Sequence, residues 1–375
     1  MPQQMMQLSE QTYEAWLKRA KAAAKSAAFS AEDVLFGRIA GPHAARPKHG
    51  PWQVLMRMDH HGVEKAERQA LEDLDGGANG LVLCDAELAP ALANLALHKV
   101  HLRNEAGDMG ALAIQSLVAK LPLDPSRLAI DFGVTTLGVV EGLVRSGFKG
   151  PFMQADARNG HEIGLTAGQE LGVVLAQVLA AFRLLENWDD IMIAEAISIK
   201  LIACQNAFET LAKFRAARVL WRQLLVHCKL PVVPLLLHGE TSRLMLSDSD
   251  AHGNTMRGVA AVFGACLGGA SSICALPFSQ AQGTPNGFSR RVARNMQLVM
   301  LHEAALWRVD DPGAGAGAIE NATRKLCEEA WDVLQKMERG ISPRGDLSRS
   351  SVRPVIGVTA FQPMAPMPAE IEAVS

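Results

Sequence analysis

The residues best suited to chemistry are histidines beside carboxylates and one run of glycines. Asp59-His60-His61 closes a β-like run, Trp52 to Met58, and an acid beside an imidazole at a strand end can ligate a metal or move a proton. Adjacent histidines on an extended chain point in different directions, however, and no acidic or cysteine cluster stands nearby to complete a metal shell. The stretch therefore reads as a polar strand end, with Asp59 and His60 as candidate pocket residues. His98 and His101, three apart, read as the end of a helix, where an imidazole complements the dipole. Gly313-Ala314-Gly315-Ala316-Gly317 lacks both the G-x-G-x-x-G spacing of a dinucleotide loop and the Gly-Lys-Ser/Thr of a P-loop. Because it follows Asp-Asp-Pro instead of an apolar strand, it reads as a flexible loop.

Asp250-Ala251-His252-Gly253 resembles the start of an Asp-x-His-x-x-Gly signature that ligates cobalamin through histidine. The final glycine is replaced by Thr255, and no Gly-rich second half follows. The six cysteines, Cys84, Cys204, Cys228, Cys266, Cys274 and Cys327, form no CxxC pair and read as free thiols in apolar segments. A single tyrosine, Tyr13, occurs in the whole chain. No Gly-x-Ser-x-Gly and no basic-aromatic stripe for nucleic acid appears.

Positioning such residues calls for a large scaffold. The chain has 375 residues, 49% of them apolar and 20% charged, with a formal net charge of −2. That suits one large α/β barrel or two ordinary domains, and gives no global attraction to nucleic acid or anionic lipid. No uncharged apolar run reaches the roughly 20 residues of a membrane span, and no signal-peptide pattern opens the chain; a cytoplasmic location is expected. Residues 1 to 45 read as a helical arm and linker, 46 to 340 as the main domain, and 341 to 375 as a tail with one more β-like run, Val355 to Phe361.

Within the main domain, β-like runs at 52 to 58, 80 to 84, 127 to 132, 152 to 155, 232 to 238 and 271 to 278 alternate with amphipathic patterns at 64 to 75, 86 to 97, 110 to 120, 136 to 145, 166 to 185, 206 to 228, 254 to 267 and 290 to 303. Strand-then-helix alternation over about 300 residues predicts parallel strands with crossover helices. A (β/α)8 TIM-type barrel is the economical arrangement, with a doubly wound sheet as the alternative.

Several segments, taken in order, resemble the methylmalonyl-CoA mutase family, and its small subunit in particular: "WQVLMRMDHHGVEKAERQALEDLDGGANGLVL", "HEIGLTAGQELGVVLAQVLA", "LAKFRAARVLW" and "SSICALPFSQAQGTPNGFSRRVARNMQLVMLHEAALWRVDDPGAG". Together they cover roughly residues 50 to 360, and Ala275-Leu276-Pro277-Phe278 favours the small subunit. The resemblance implies a complex that interconverts methylmalonyl-CoA and succinyl-CoA with a radical supplied by adenosylcobalamin. It also implies where this chain departs. Catalytic subunits carry a Tyr-His pair where this sequence has Arg158-Asn159-Gly160-His161, and an Arg-x-Ser that contacts coenzyme A where this sequence has Ala196-Ile197-Ser198. The sequence ends soon after its last barrel-like run, so no cobalamin-binding Rossmann-like domain is expected.

What the resemblance implies is a noncatalytic small subunit paired in a heterodimer with a large subunit that binds adenosylcobalamin and acyl-CoA. The alternative is a catalytic barrel that receives cobalamin from a separate chain, with Asp59, His60 and His161 lining its pocket. Arg291, Arg294, Asn295 and Asp311 belong to the most family-like segment and are expected to be structural, holding the closing loops. Tyr13, Trp16 and Leu17 give the arm an apolar stripe suited to wrapping a partner.

Overall fold

The computed structural model describes residues 50–344 and 369–372. Tyr13, Trp16 and Leu17, the arm, and the run from Val355 to Phe361 lie outside the described residues.

Eight short strands carry alternating side chains. They are β1 (Gln53–Met58), β2 (Gly80–Leu83), β3 (His101–Asn104), β4 (Ala129–Asp131), β5 (Met153–Asp156), β6 (Ile197–Ala203), β7 (Leu237–Thr241) and β8 (Ser272–Cys274). All pairings are parallel, in the order β4-β3-β2-β1-β8-β7-β6-β5. Just past β4 the circle closes on β5: the amides of Phe132 and Val134 donate to the carbonyls of Pro151 and Phe152 at 3.0 and 2.9 Å. Gly133 makes that seam possible. Its φ is +58°, and a Cβ there would stand 2.7 Å from the Asn104 carbonyl oxygen. The molecule is a (β/α)8 TIM-type barrel.

The surrounding helices are α1 (Val63–Asp75), α2 (Gly107–Val118), α3 (Leu137–Arg145), α4 (Arg158–Glu162), α5 (Ala167–Leu184), α6 (Asp190–Glu195), α7 (Ala207–His227), α8 (Gly253–Leu267), α9 (Gly287–Leu298) and α10 (Gly317–Glu338). Outward strand residues such as Val54, Met56, Leu81, Leu102, Ile130, Ile199 and Ile273 join the helices in one continuous apolar core. The inward faces form a separate small cluster, Leu55, Val82 and Cys274 with Cys84, beside a wall of charge.

Helix α5 is long and apolar enough by length and composition to cross a membrane, with 56% of it buried inside the protein. Its capping box, Thr166 with Gln169, satisfies two terminal amides. Its face is spent on α10: a Cβ on Gly172 would meet the Val333 side chain at 2.5 Å, so glycine sets the distance between the two helices.

Several elements differ from the sequence expectation. Strands β3 and β6 and the long helix α10 were not expected, and His101 stands inside β3 instead of at a helix end. The pattern at 86 to 97 forms a 3-10 helix, Ala86–Leu92, interrupted by Pro90. The helix expected at 290 to 303 leaves α-geometry for a π-turn at Val299–Glu303. The Gly/Ala run is a packed corner: the Gly315 amide donates to Glu320 Oε1 at 2.9 Å, and a Cβ on Gly313 would touch Ile319 at 3.0 Å.

Candidate functional site

Alternate residues of β1 and β3 to β7 point along the barrel axis, and most are ionisable. Arg57 Nη1 donates to Glu240 Oε2 at 2.7 Å and to Glu105 Oε2 at 3.0 Å. Lys200 Nζ donates to Glu105 Oε1 at 2.5 Å and lies 3.4 Å from Glu240 and 3.6 Å from Asp156. Arg158 Nη2 caps the cluster, donating to Glu105 at 2.6 Å and to Glu240 at 2.8 Å. One layer deeper, Arg103 pairs with Asp131 and donates to Gln154 Oε1 at 2.8 Å, and Ser198 Oγ donates to Asp131 Oδ2 at 2.7 Å.

Four cations (Arg57, Arg103, Arg158, Lys200) thus face four carboxylates (Glu105, Asp131, Asp156, Glu240). Lys200 is fully buried, and Glu105 and Glu240 expose no more than 4% of their side chains. Burial pushes the carboxyls of Glu105 and Glu240 upward, yet Lys200, Arg57 and Arg158 overcome it, holding Glu105 well below the usual carboxylate range and Glu240 below it. The axis is filled by a charge-balanced plug.

Beneath the plug, the N-terminal mouth holds a cavity of about 460 Å³ lined by Trp52, His101, Arg103, Pro234, Leu237 and His238 among others. Burial pushes both histidines toward the neutral form, and Arg103 and Lys200 reinforce this at His238, whose Nδ1 lies 2.9 Å from Ser272 Oγ.

The structure does not gather the candidate pocket residues. Asp59 accepts from Arg290 Nη1 at 2.9 Å. His60 is buried, with Nε2 3.3 Å from Glu372 Oε1 on the C-terminal segment. His161 belongs elsewhere: its Nδ1 lies 2.7 Å from Glu170 Oε1 and its Nε2 2.7 Å from Ser242 Oγ. His61 and His252 are exposed, and the His252 ring sits 5.4 Å from that of Phe278. Among the described residues, no group of three or more His, Cys, Asp or Glu side chains could hold a metal ion.

Of the family-like segment, Arg294 Nη1 donates to Asp73 Oδ1 at 3.0 Å, and Asp311 accepts twice from Arg215 at 2.8 Å. Arg291 and Asn295 are exposed on the outer side of α9, Arg291 lying 5.5 Å above the Phe288 ring. Closing this side of the barrel falls instead to Arg290, whose guanidinium binds Asp73, Asp59 and the Arg57 carbonyl. One position in sequence decides this, because Arg290 faces β1 while Arg291 is turned outward by 100°.

Sequence reasoning missed the plug. Its members come from six strands or strand ends, with no spacing to link them. The one available signal was the ionisable residues inside short runs such as His101-Leu102-Arg103-Asn104 and Ile199-Lys200-Leu201.

A parallel eight-stranded barrel with charges packed along its axis defines a TIM-barrel scaffold, and comparison with known proteins gives it a family. The family model described as methylmalonyl-CoA mutase matches residues 153–342, and the chain belongs to that family. It is 30% identical over 321 residues to the methylmalonyl-CoA mutase small subunit of Streptomyces virginiae, covering 77% of this chain and 52% of that one. Over 187 residues it is 37% identical to a probable methylmalonyl-CoA mutase small subunit of Mycobacterium tuberculosis, covering 48% and 30%. It is 35% identical over 184 residues to a methylmalonyl-CoA mutase of Rhizobium meliloti, covering 47% and 26%. The chain spans about half the length, or less, of these relatives.

Proposed function

We propose that this chain is the noncatalytic small subunit of a cytoplasmic, adenosylcobalamin-dependent methylmalonyl-CoA mutase, paired in a heterodimer with a large subunit that binds both cofactor and acyl-CoA. The observation that carries the reading is the plug. The barrel axis is occupied by Arg57, Arg103, Lys200, Glu105, Asp131 and Glu240, linked through Glu105 into one network of ion pairs. An acyl chain laid there would have to break several buried charge pairs, each costly to separate.

The departures from the catalytic pattern point the same way. Arg158 lies in the stretch, Arg158 to His161, where the resemblance implies a Tyr-His pair in catalytic subunits, and it is bound to Glu105 and Glu240. Ser198 is turned onto Asp131, and Ala196 and Ile197 beside it are buried and apolar, so no cation stands there for a coenzyme phosphate. Adenosylcobalamin is a poor fit to the residues present: His252, in the nearest approach to a cobalt-ligating motif, is exposed and packed on Phe278. No step of the isomerisation is therefore assigned to this chain.

The test is affinity purification from the native cell, followed by mutase assay of complex and isolated chain with adenosylcobalamin. The expected result is a larger cobalamin-binding subunit in the eluate, activity in the complex, and none in the isolated chain. Turnover by the isolated chain would show that the barrel has its own site and would overturn the proposal.

A further inference from the structure

The cavity beneath the plug, about 460 Å³ in volume, has no task in the proposed function. Strand register sets a ring of polar side chains on its inner wall. Gln53 on β1 pairs with Ser272 on β8, and Ser272 with His238 on β7, while His101 opens β3 at the same end of the barrel. All four line the cavity. His238 and Ser272 hold each other, with Nδ1 2.9 Å from Oγ. Gln53 and His101 differ from them. Both are half-buried, so a molecule in the cavity can reach them, and among the described residues neither side chain has a hydrogen-bonding partner. His238 Nε2 is buried without one as well. Polar groups left unpaired at the wall of a cavity are costly, and a molecule that binds them there recovers that cost.

The rest of the wall sets the chemistry of the occupant. Pro51, Pro234 and Leu236 are exposed around the mouth, and Ile197 and Leu235 stand deeper, so most of the surface offered is apolar and calls for an apolar body. The cation at the floor, Arg103, is spent: it pairs with Asp131 and donates to Gln154 Oε1 at 2.8 Å. Lys149 and Glu195, both exposed at the outer edge, contribute one charge of each sign. Burial pushes His101 and His238 toward the neutral form. A phosphate or carboxylate placed at the floor would therefore be buried without a counter-charge of its own. A hydroxyl, by contrast, both donates and accepts, and so matches an amide and a neutral imidazole together.

We propose that the N-terminal mouth of the barrel is a binding site for an uncharged, mostly apolar molecule carrying a hydroxyl group, of the phenol or small-alcohol class, with the hydroxyl held by Gln53 and His101 and the apolar body against Pro51, Pro234 and Leu236. The site ends on the plug, so its occupant stays at this end of the barrel. Binding needs no partner subunit and is independent of the small-subunit role.

The experiment titrates the full chain at pH 7 with p-cresol, toluene and p-toluate, which share a ring and differ in the head group, and follows binding by saturation-transfer NMR. p-Cresol is expected to bind saturably with a Kd of about 1 mM or tighter, and p-toluate at least about tenfold more weakly, because its charge finds no free cation. His101→Phe should weaken p-cresol about fivefold, for the loss of a hydrogen bond, and leave toluene unchanged. Anomalous scattering from p-bromophenol soaked into crystals of the wild-type chain should place the bromine in this cavity. No saturable binding of p-cresol, p-toluate bound as tightly as p-cresol, an H101F chain that keeps its p-cresol affinity, or bromine found only elsewhere overturns the proposal. The wild-type titration and the bromine position decide even where H101F does not fold.

Discussion

Lys200 and Arg290 are both buried cations in strand-lined surroundings, but they are buried in different ways. Lys200 sits on the axis among residues drawn from across the barrel, sharing Glu105 and Glu240 with Arg57 and Arg158. Arg290 sits at the rim, where one helix, α9, meets one neighbour, α1, through Asp73, with Asp59 beside it. The rim cation has its partners in two local segments and shares only Asp73, with Arg294, so its network is smaller and local. The axial cation belongs to a shared network, where removing one member strands several others in a medium that punishes unpaired charge.

Four expected outcomes test that contrast. Lys200→Met should have the largest effect, lowering stability by about 3–5 kcal/mol because Glu105 and Glu240 stay buried with less compensation; urea unfolding measures it, and a loss below that of a rim substitution would abolish the distinction. Next comes pH. His161 is held above an ordinary imidazole, so its contribution is complete below about pH 6.5 and is lost as pH rises through about 9. Glu105 and Glu240 are held below an ordinary carboxyl, so theirs is present above about pH 4.3 and is lost as pH falls further. Stability should therefore peak between about pH 5 and 6.5 and decline by about 3 kcal/mol toward pH 9, a decline that His161→Gln removes.

At the rim, Asp311→Asn weakens a bidentate pair with Arg215 and should cost about 2 kcal/mol. The smallest effect belongs to Lys336→Ala, which breaks an exposed i,i+4 pair with Asp332 and should cost under about 0.5 kcal/mol. Thermal unfolding of these two variants together would show whether rim and surface separate as clearly as axis and rim.

The same contrast explains what was legible in the sequence. Strands β1, β2 and β8 carry mostly apolar runs, and the strand-helix alternation they punctuate was enough to indicate a barrel. The two strands that were missed, β3 and β6, carry Arg103 and Lys200 on their inward faces. The polar residues that hid these strands are the ones that build the plug. The rim was partly visible because Arg294 and Asp311 lie in a long family-like stretch, but sequence alone could not choose Arg290 over Arg291, since only the helix's rotation against α1 decides which guanidinium is buried. The cluster of His161, Cys204 and Ser242 was illegible for a third reason: its members are separated by some 40 residues each and meet only when β5, β6 and β7 are aligned.

The plug also has a mechanical meaning. Arg57 on β1 reaches Glu240 on β7 past the intervening β8, and Lys200 on β6 reaches Glu105 beyond β3 on the far side, so the ion pairs act as ties through the barrel's interior. A hollow barrel resists flattening only through its hoop of strand hydrogen bonds. This one is braced from within, so a load applied to the helices on one side is carried across the diameter to the other.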